Sequence, residues 1–190
     1  QGAGPFPAAI LVTGTGPQDR DETIEGHKPF AVWADALTRR GVAVLRFDDR
    51  GVGRSTGSFP AATQRDFASD VKTAFNWLAS RPGIDAARVG LIGHSEGATF
   101  AELAVQEGAG AAWIVALAGP ALPGGEIITS QVERIAQASG LSVEAIAYNT
   151  AFQRRLMEAV AAHAADAEAA RGAVERLLLE SGRSPAEAAQ

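Results

Sequence analysis

Val89-Gly90-Leu91-Ile92-Gly93-His94-Ser95-Glu96-Gly97 decides the fold of this chain. A buried-strand run breaks there into Gly-x-Ser-x-Gly and passes into the helical pattern of Ala98 to Gln106, so the stretch reads strand, sharp turn, helix. A serine at such a turn is forced into strained backbone. Glycine is required two residues to either side, because a Cβ at either place would meet the neighbouring strand or helix. Gly93 and Gly97 fill those places. The turn would leave the Ser95 hydroxyl clear at the carboxyl edge of a sheet. The Glu96 amide would stand at a helix N-terminus, where negative charge is stabilised. That is a nucleophile with half of an oxyanion hole.

Strand and helix signals alternate on both sides of this turn. Ala8 to Thr13 is a short apolar run closed by Gly14-Thr15-Gly16-Pro17, the pattern of a strand buried on both faces. After the polar loop Gln18-Asp19-Arg20-Asp21-Glu22, the residues Phe30, Trp33, Ala34 and Leu37 repeat at helical spacing, with Pro29 suited to the first turn and Gly41 to the stop. Val42 to Phe47 is the next strand. Phe67, Val71, Ala74, Phe75 and Leu78 mark one face of a helix that begins near Thr63 and ends before Arg81-Pro82-Gly83. Ala112 to Leu117 is a fourth strand. Four such alternations predict an α/β fold with a parallel sheet, right-handed crossovers and helices on both faces, that is, three layers. Sites in such sheets lie at the carboxyl ends of the strands. The loops after Thr13, Phe47 and His94 all leave from that edge.

From Pro123 onward no strand signal remains, and helices are expected over roughly Glu126 to Ala138, Val143 to Ala161 and Ala164 to Glu180. The chain therefore divides into a core of residues 1–122 and a helical region of residues 123–190. The latter reads either as a packed subdomain without chemistry or as a lid over Ser95.

Composition narrows the functional classes. The 190 residues carry 17 Lys and Arg against 22 Asp and Glu, a net charge of −5, and no basic run dense enough for a phosphate-binding stripe. Nucleic acid is not an expected partner. No apolar segment approaches the ~20 residues of a membrane span, and the compartment stays open. The chain contains no cysteine, which removes disulfides, thiolate nucleophiles and Cys-based metal sites. Neither a metal nor a cofactor is expected. Gly51-Val52-Gly53 follows a strand, but the next glycine falls at Gly57 and no helix opens inside the motif, so a dinucleotide fingerprint is rejected. No Gly-Lys-[Ser/Thr] of a P-loop occurs.

Taken together, Leu11-Val-Thr-Gly-Thr-Gly-Pro-Gln-Asp-Arg-Asp-Glu22, Asp48-Asp-Arg-Gly-Val-Gly-Arg-Ser55 and Gly93-His-Ser-Glu-Gly97 resemble the α/β-hydrolase superfamily, and within it bacterial serine esterases with a helical cap, related to the serine aminopeptidase branch. The resemblance implies a serine hydrolase of small acyl esters, with peptidase or thioesterase activity as the alternative. It implies Ser95 as nucleophile and the Thr15 and Glu96 amides as oxyanion donors, with Thr13-Gly14 standing where a His-Gly-like pair is commoner. It places a cap after the strand ending at Leu117. The superfamily's triad acid and histidine follow later strands, so the chain is expected to stop before both and to be nearly inactive alone; a truncated, non-catalytic binding domain is the competing class. Of the three histidines, His94 is expected packed inside the turn, His27 structural and His163 solvated. Arg50 with Asp48 or Asp49 is expected to fix a loop by ion pairing. A sheet edge left unpaired would invite a homodimer or other association.

Overall fold

The computed structural model describes residues 4–184. These fall in two compact units, Gln1–Pro120 and Ala121–Gln190. The first holds β1 (Phe6–Val12), α1 (Pro29–Thr38), β2 (Ala43–Leu45), α2 (Gln64–Ala79), β3 (Ile84–His94), α3 (Glu96–Gln106) and β4 (Ile114–Leu117). All the strand pairs are parallel, in the order β2-β1-β3-β4.

That order fixes where the helices lie. The step from β1 to β2 and the step from β2 back across to β3 run in opposite directions, so right-handed crossovers put α1 on one face of the sheet and α2 and α3 on the other. Side-chain alternation agrees. Ala8, Ile10 and Val12 of β1 join Val89 and Leu91 of β3 in one cluster with Val71 and Phe75 of α2 and Phe100, Ala101 and Ala104 of α3. Ala9 and Leu11 point the other way and are just as buried, as is Phe30 at the start of α1. The expected three-layer α/β fold is what forms.

β1 and β3 are neighbours, with Val12 opposite Gly93, yet their outgoing connections turn to opposite sides of the sheet. A crevice must open between the carboxyl ends of two such strands, and this switch point is where open α/β sheets place their sites. Thr13-Gly14 and His94-Ser95 leave the sheet there.

Local sequence sets the element ends. Thr63 caps α2 with a capping box: its hydroxyl accepts from the Asp66 amide, and the Asp66 carboxylate accepts from the Thr63 amide at 2.8 Å. Pro29 opens α1, whose second amide, that of Phe30, donates to the Asp21 carbonyl at 3.2 Å. β3 begins at Ile84, five residues before the apolar run announces it, because Phe6 at the start of β1 gives that segment a partner.

In the second unit α4 (Gly124–Ala138) packs on α5 (Val143–Ala162), and α5 on α6 (Ala167–Glu180). Ser142 caps α5, accepting from the Ala145 amide at 3.2 Å. α6 starts three residues later than Ala164, because Asp166 caps it through the Glu168 and Ala169 amides at 3.1 and 3.0 Å.

Candidate active site

Ser95 is the N-cap of α3 and adopts φ 53° and ψ −127°, a left-handed backbone that residues with a Cβ rarely take. Two hydrogen bonds hold it: its amide donates to the Leu117 carbonyl of β4 at 2.8 Å, and its carbonyl accepts from Ala98 at 3.1 Å. Close backbone approach supplies the rest. A Cβ on Gly93 would stand 2.4 Å from the Gly97 carbonyl oxygen, and one on Gly97 would stand 2.3 Å from that of Val12. The turn therefore exists only because both positions lack side chains.

Gly14 is the third close approach. A Cβ there would lie 3.0 Å from both the His94 carbonyl oxygen and the Ser95 Cβ, which puts the loop after β1 directly against the serine. Thr15 and Glu96, one residue beyond Gly14 and Ser95, meet through their side chains: the Thr15 hydroxyl donates to Glu96 Oε2 at 2.9 Å, and Gln64 Nε2 donates to Oε1 at 2.9 Å. Neither the Thr15 nor the Glu96 backbone N–H is used in any hydrogen bond among the described residues. Ser95, Thr15, Glu96, Gly93 and Gly97 thus lie together at one end of the sheet. Beside them opens a cleft of about 360 Å³ lined by Gly14, Thr15, Gly16, Glu96 and an aromatic wall. Phe59 and Phe67 lie 5.3 Å apart and Phe67 stacks on Phe100 at 5.0 Å.

Buried acids brace this loop. Thr13 Oγ1 donates to Asp49 Oδ1 at 2.7 Å and the Gln18 amide donates to Oδ2 at 3.0 Å, so one carboxylate after β2 ties down both ends of the turn after β1. Burial, the largest influence, pushes the Asp49 carboxyl up, against the hydrogen bonds from Thr13 and Gln18. Asp48 behaves oppositely. Arg20 donates to it through Nε at 2.9 Å and Nη2 at 2.7 Å, and that hydrogen bonding holds its pKa down to about 2. Arg50 donates to Asp70 at 2.8 Å and to the Asp66 carbonyl at 2.8 Å, and faces the Phe67 ring. Loop fixing by ion pairs is therefore present with different partners: Arg50 reaches α2, and Asp48 takes Arg20.

His94 corrects a second expectation. It is not packed inside the turn: its side chain is 33 % exposed, and Nδ1 lies 2.9 Å from Glu22 Oε1. Glu22, in sequence one acid among several in a polar loop, is one of the most buried side chains of the first unit. Its only sequence signal is its place at the end of the Gln18–Glu22 run, next to the turn that the first helix needs. His27 pairs backbone to backbone with Ile24, and His163 ends α5 half-buried.

Comparison with known proteins agrees with this architecture. Residues 24–189 match the family described as serine aminopeptidase, S33. The chain is 34 % identical over 142 residues to Esterase EstD of Thermotoga maritima, an alignment covering 75 % of this chain and 34 % of that protein, so the chain spans about a third of its curated relative. Among solved structures, the α/β hydrolase GrgF from Penicillium superposes with a TM-score of 0.53 at 20 % identity, over 70 % of this chain and 47 % of that one. A proline iminopeptidase-related protein from Thermus thermophilus superposes with a TM-score of 0.52 at 21 % identity, over 98 % of this chain and 64 % of that one.

Proposed function

We propose, for a chain that belongs to the serine aminopeptidase S33 family, that it carries the nucleophilic half of a serine hydrolase acting on carboxylic esters of small acyl groups. The observation that carries this reading is Ser95 in left-handed backbone at the switch point, against a loop whose next amide is unengaged. Ser95 Oγ attacks the ester carbonyl carbon, the carbonyl oxygen takes up the electron pair, and the Thr15 and Glu96 amides donate to the developing oxyanion. Collapse of the tetrahedral species breaks the bond to the alcohol oxygen, the proton given up by Ser95 Oγ leaves on that alcohol, and the acyl-serine that remains is hydrolysed by water to the acid, which restores the Ser95 hydroxyl. The aromatic wall of Phe59, Phe67 and Phe100 suits an apolar acyl group. The helices of residues 123–190 act, in this reading, as a cap that sets substrate size. A deletion that left acyl-length preference unchanged would assign them to packing alone.

Esterase EstD supports the ester reading, and the family's description supports the alternative, an aminopeptidase. Hydrolysis of p-nitrophenyl butyrate and of an aminoacyl p-nitroanilide by the whole protein separates the two. Ester hydrolysis and fluorophosphonate labelling that both vanish in Ser95→Ala are expected. Labelling that persists in Ser95→Ala would remove the proposal.

A further inference from the structure

Glu22 is a buried carboxylate that the chemistry above does not use. Its side chain is 2 % exposed, and its two oxygens are treated unequally. Oε1 accepts the Gly14 amide at 3.0 Å and lies 2.9 Å from His94 Nδ1, whereas Oε2 is buried with no hydrogen-bond partner among the described residues. The residue also sits at φ 52°, held there by its amide donating to the Asp19 carbonyl at 2.9 Å. Both cost stability: the backbone alone would favour glycine here, and the unpaired buried oxygen would favour an apolar side chain.

What Oε1 holds explains the arrangement. Gly14 precedes Thr15, the proposed oxyanion donor, and His94 precedes Ser95, the proposed nucleophile. One oxygen atom therefore fixes the neighbour of each. We propose that Glu22 is a positioning residue: through Oε1 it clamps the Gly14 amide and the His94 imidazole, and so sets the placement of the Thr15 amide relative to Ser95. The inference rests on the serine-hydrolase reading. Glu22 does not touch the substrate; it acts by holding two segments that come from different strands, 8 and 72 residues away. Preorganised donors lose their advantage when displaced, and a shift of about 1 Å costs on the order of 10²-fold in rate.

The test compares Glu22→Gln, Glu22→Asp and Glu22→Ala in the whole protein, with kcat and KM for p-nitrophenyl butyrate and the thermal midpoint of each. Gln keeps an acceptor at Oε1, so kcat within about tenfold of wild type is expected. Ala removes the clamp, and Asp draws the oxygen back by one methylene. Both should lower kcat, by about 10²-fold for Ala and at least about tenfold for Asp, with KM changed less than about threefold. An active Asp variant beside a dead Gln variant would overturn the proposal, since charge rather than acceptor placement would then matter. So would wild-type kcat in Ala, or equal kcat losses in Gln and Ala. Amide exchange at Gly14, measured in the same proteins, reads the clamp independently of turnover: protection should fall in Ala and persist in Gln. Unchanged protection in Ala overturns the clamp. A wild-type protein without Ser95-dependent hydrolysis sinks the functional reading instead.

Discussion

The Thr15 hydroxyl donates to Glu96 Oε2 at 2.9 Å, joining two residues 81 apart in sequence on the water-facing side of the candidate site. The tie brings the loop after β1 to the first turn of α3 from the outside, while the proposed chemistry uses the backbone amides. Thr15→Val should therefore lower kcat no more than about tenfold and alter stability by no more than about 0.5 kcal/mol, the usual range for an exposed polar contact. Steady-state kinetics of the whole protein check this. A loss beyond 10²-fold with unchanged stability would mean that the hydroxyl itself touches the reacting carbonyl.

Gly14 and Gly97 separate placement from folding. An Ala Cβ at position 97 would press on the Val12 and Thr13 carbonyl oxygens at 2.3 and 2.4 Å, rigid backbone in the middle of the core. Gly97→Ala should cost about 3 kcal/mol, the upper end for overpacking, measured by chemical denaturation. At position 14 the contacts are 3.0 Å, and one of them is the Ser95 Cβ. Gly14→Ala should cost less stability and displace the serine, lowering kcat by about 10²-fold.

Asp48 and Asp49 give the acid limb of stability opposite signs. The Asp48 carboxyl is held down from 3.8 to about 2, mainly by its hydrogen bonds from Arg20. Its contribution is complete above pH 4 or so and is lost as pH falls towards 2. Arg20 is half exposed, so the contribution is discounted to about 1 kcal/mol. Asp49 is pushed up by burial, so its ionised form opposes folding and acidification relieves it. Asp48→Asn should therefore lower stability at pH 7 and converge with wild type near pH 2. Denaturation midpoints at several pH values show whether the two curves meet.

The proposed mechanism uses none of the three histidines as a base for Ser95: the His94 imidazole is engaged with Glu22, His27 stands in the backbone bridge with Ile24 before α1, and His163 ends α5. With no base in that mechanism, the 190-residue chain should turn over an activated ester only faintly, at ~10³ to 10⁴ over water, since absence of a base costs factors on the order of a million. That rate should not respond to His27→Ala. Ordinary enzyme rates from this chain, abolished by His27→Ala, would make His27 the base.

β4 pairs with β3 alone among the described residues, and it leaves Trp113 and Val115 exposed beside its open edge. An edge of this kind recruits other strands. The 190-residue chain should self-associate in light scattering at micromolar concentration, and Val115→Lys should shift it towards monomer. A chain that stays monomeric, with no response to Val115→Lys, would show that the edge does not recruit.

Sequence by itself determined the elements and the turn. Apolar runs bounded by glycine, the helical stripe from Phe67 to Leu78, the caps at Thr63 and Ser142, and Gly93 and Gly97 around Ser95 are local patterns, and local sterics decide them. Tertiary structure alone decided the partners. Within Asp19-Arg20-Asp21-Glu22 each side chain has a different fate: Asp19 accepts from the Thr23 hydroxyl, Arg20 pairs with Asp48, Asp21 with Arg46, and Glu22 is buried against His94. Nothing in a polar run says which acid will be desolvated, because that depends on which strand ends converge. The order β2-β1-β3-β4 brings the ends of β1 and β3 together, and only there does a carboxylate 72 residues from a histidine become its neighbour.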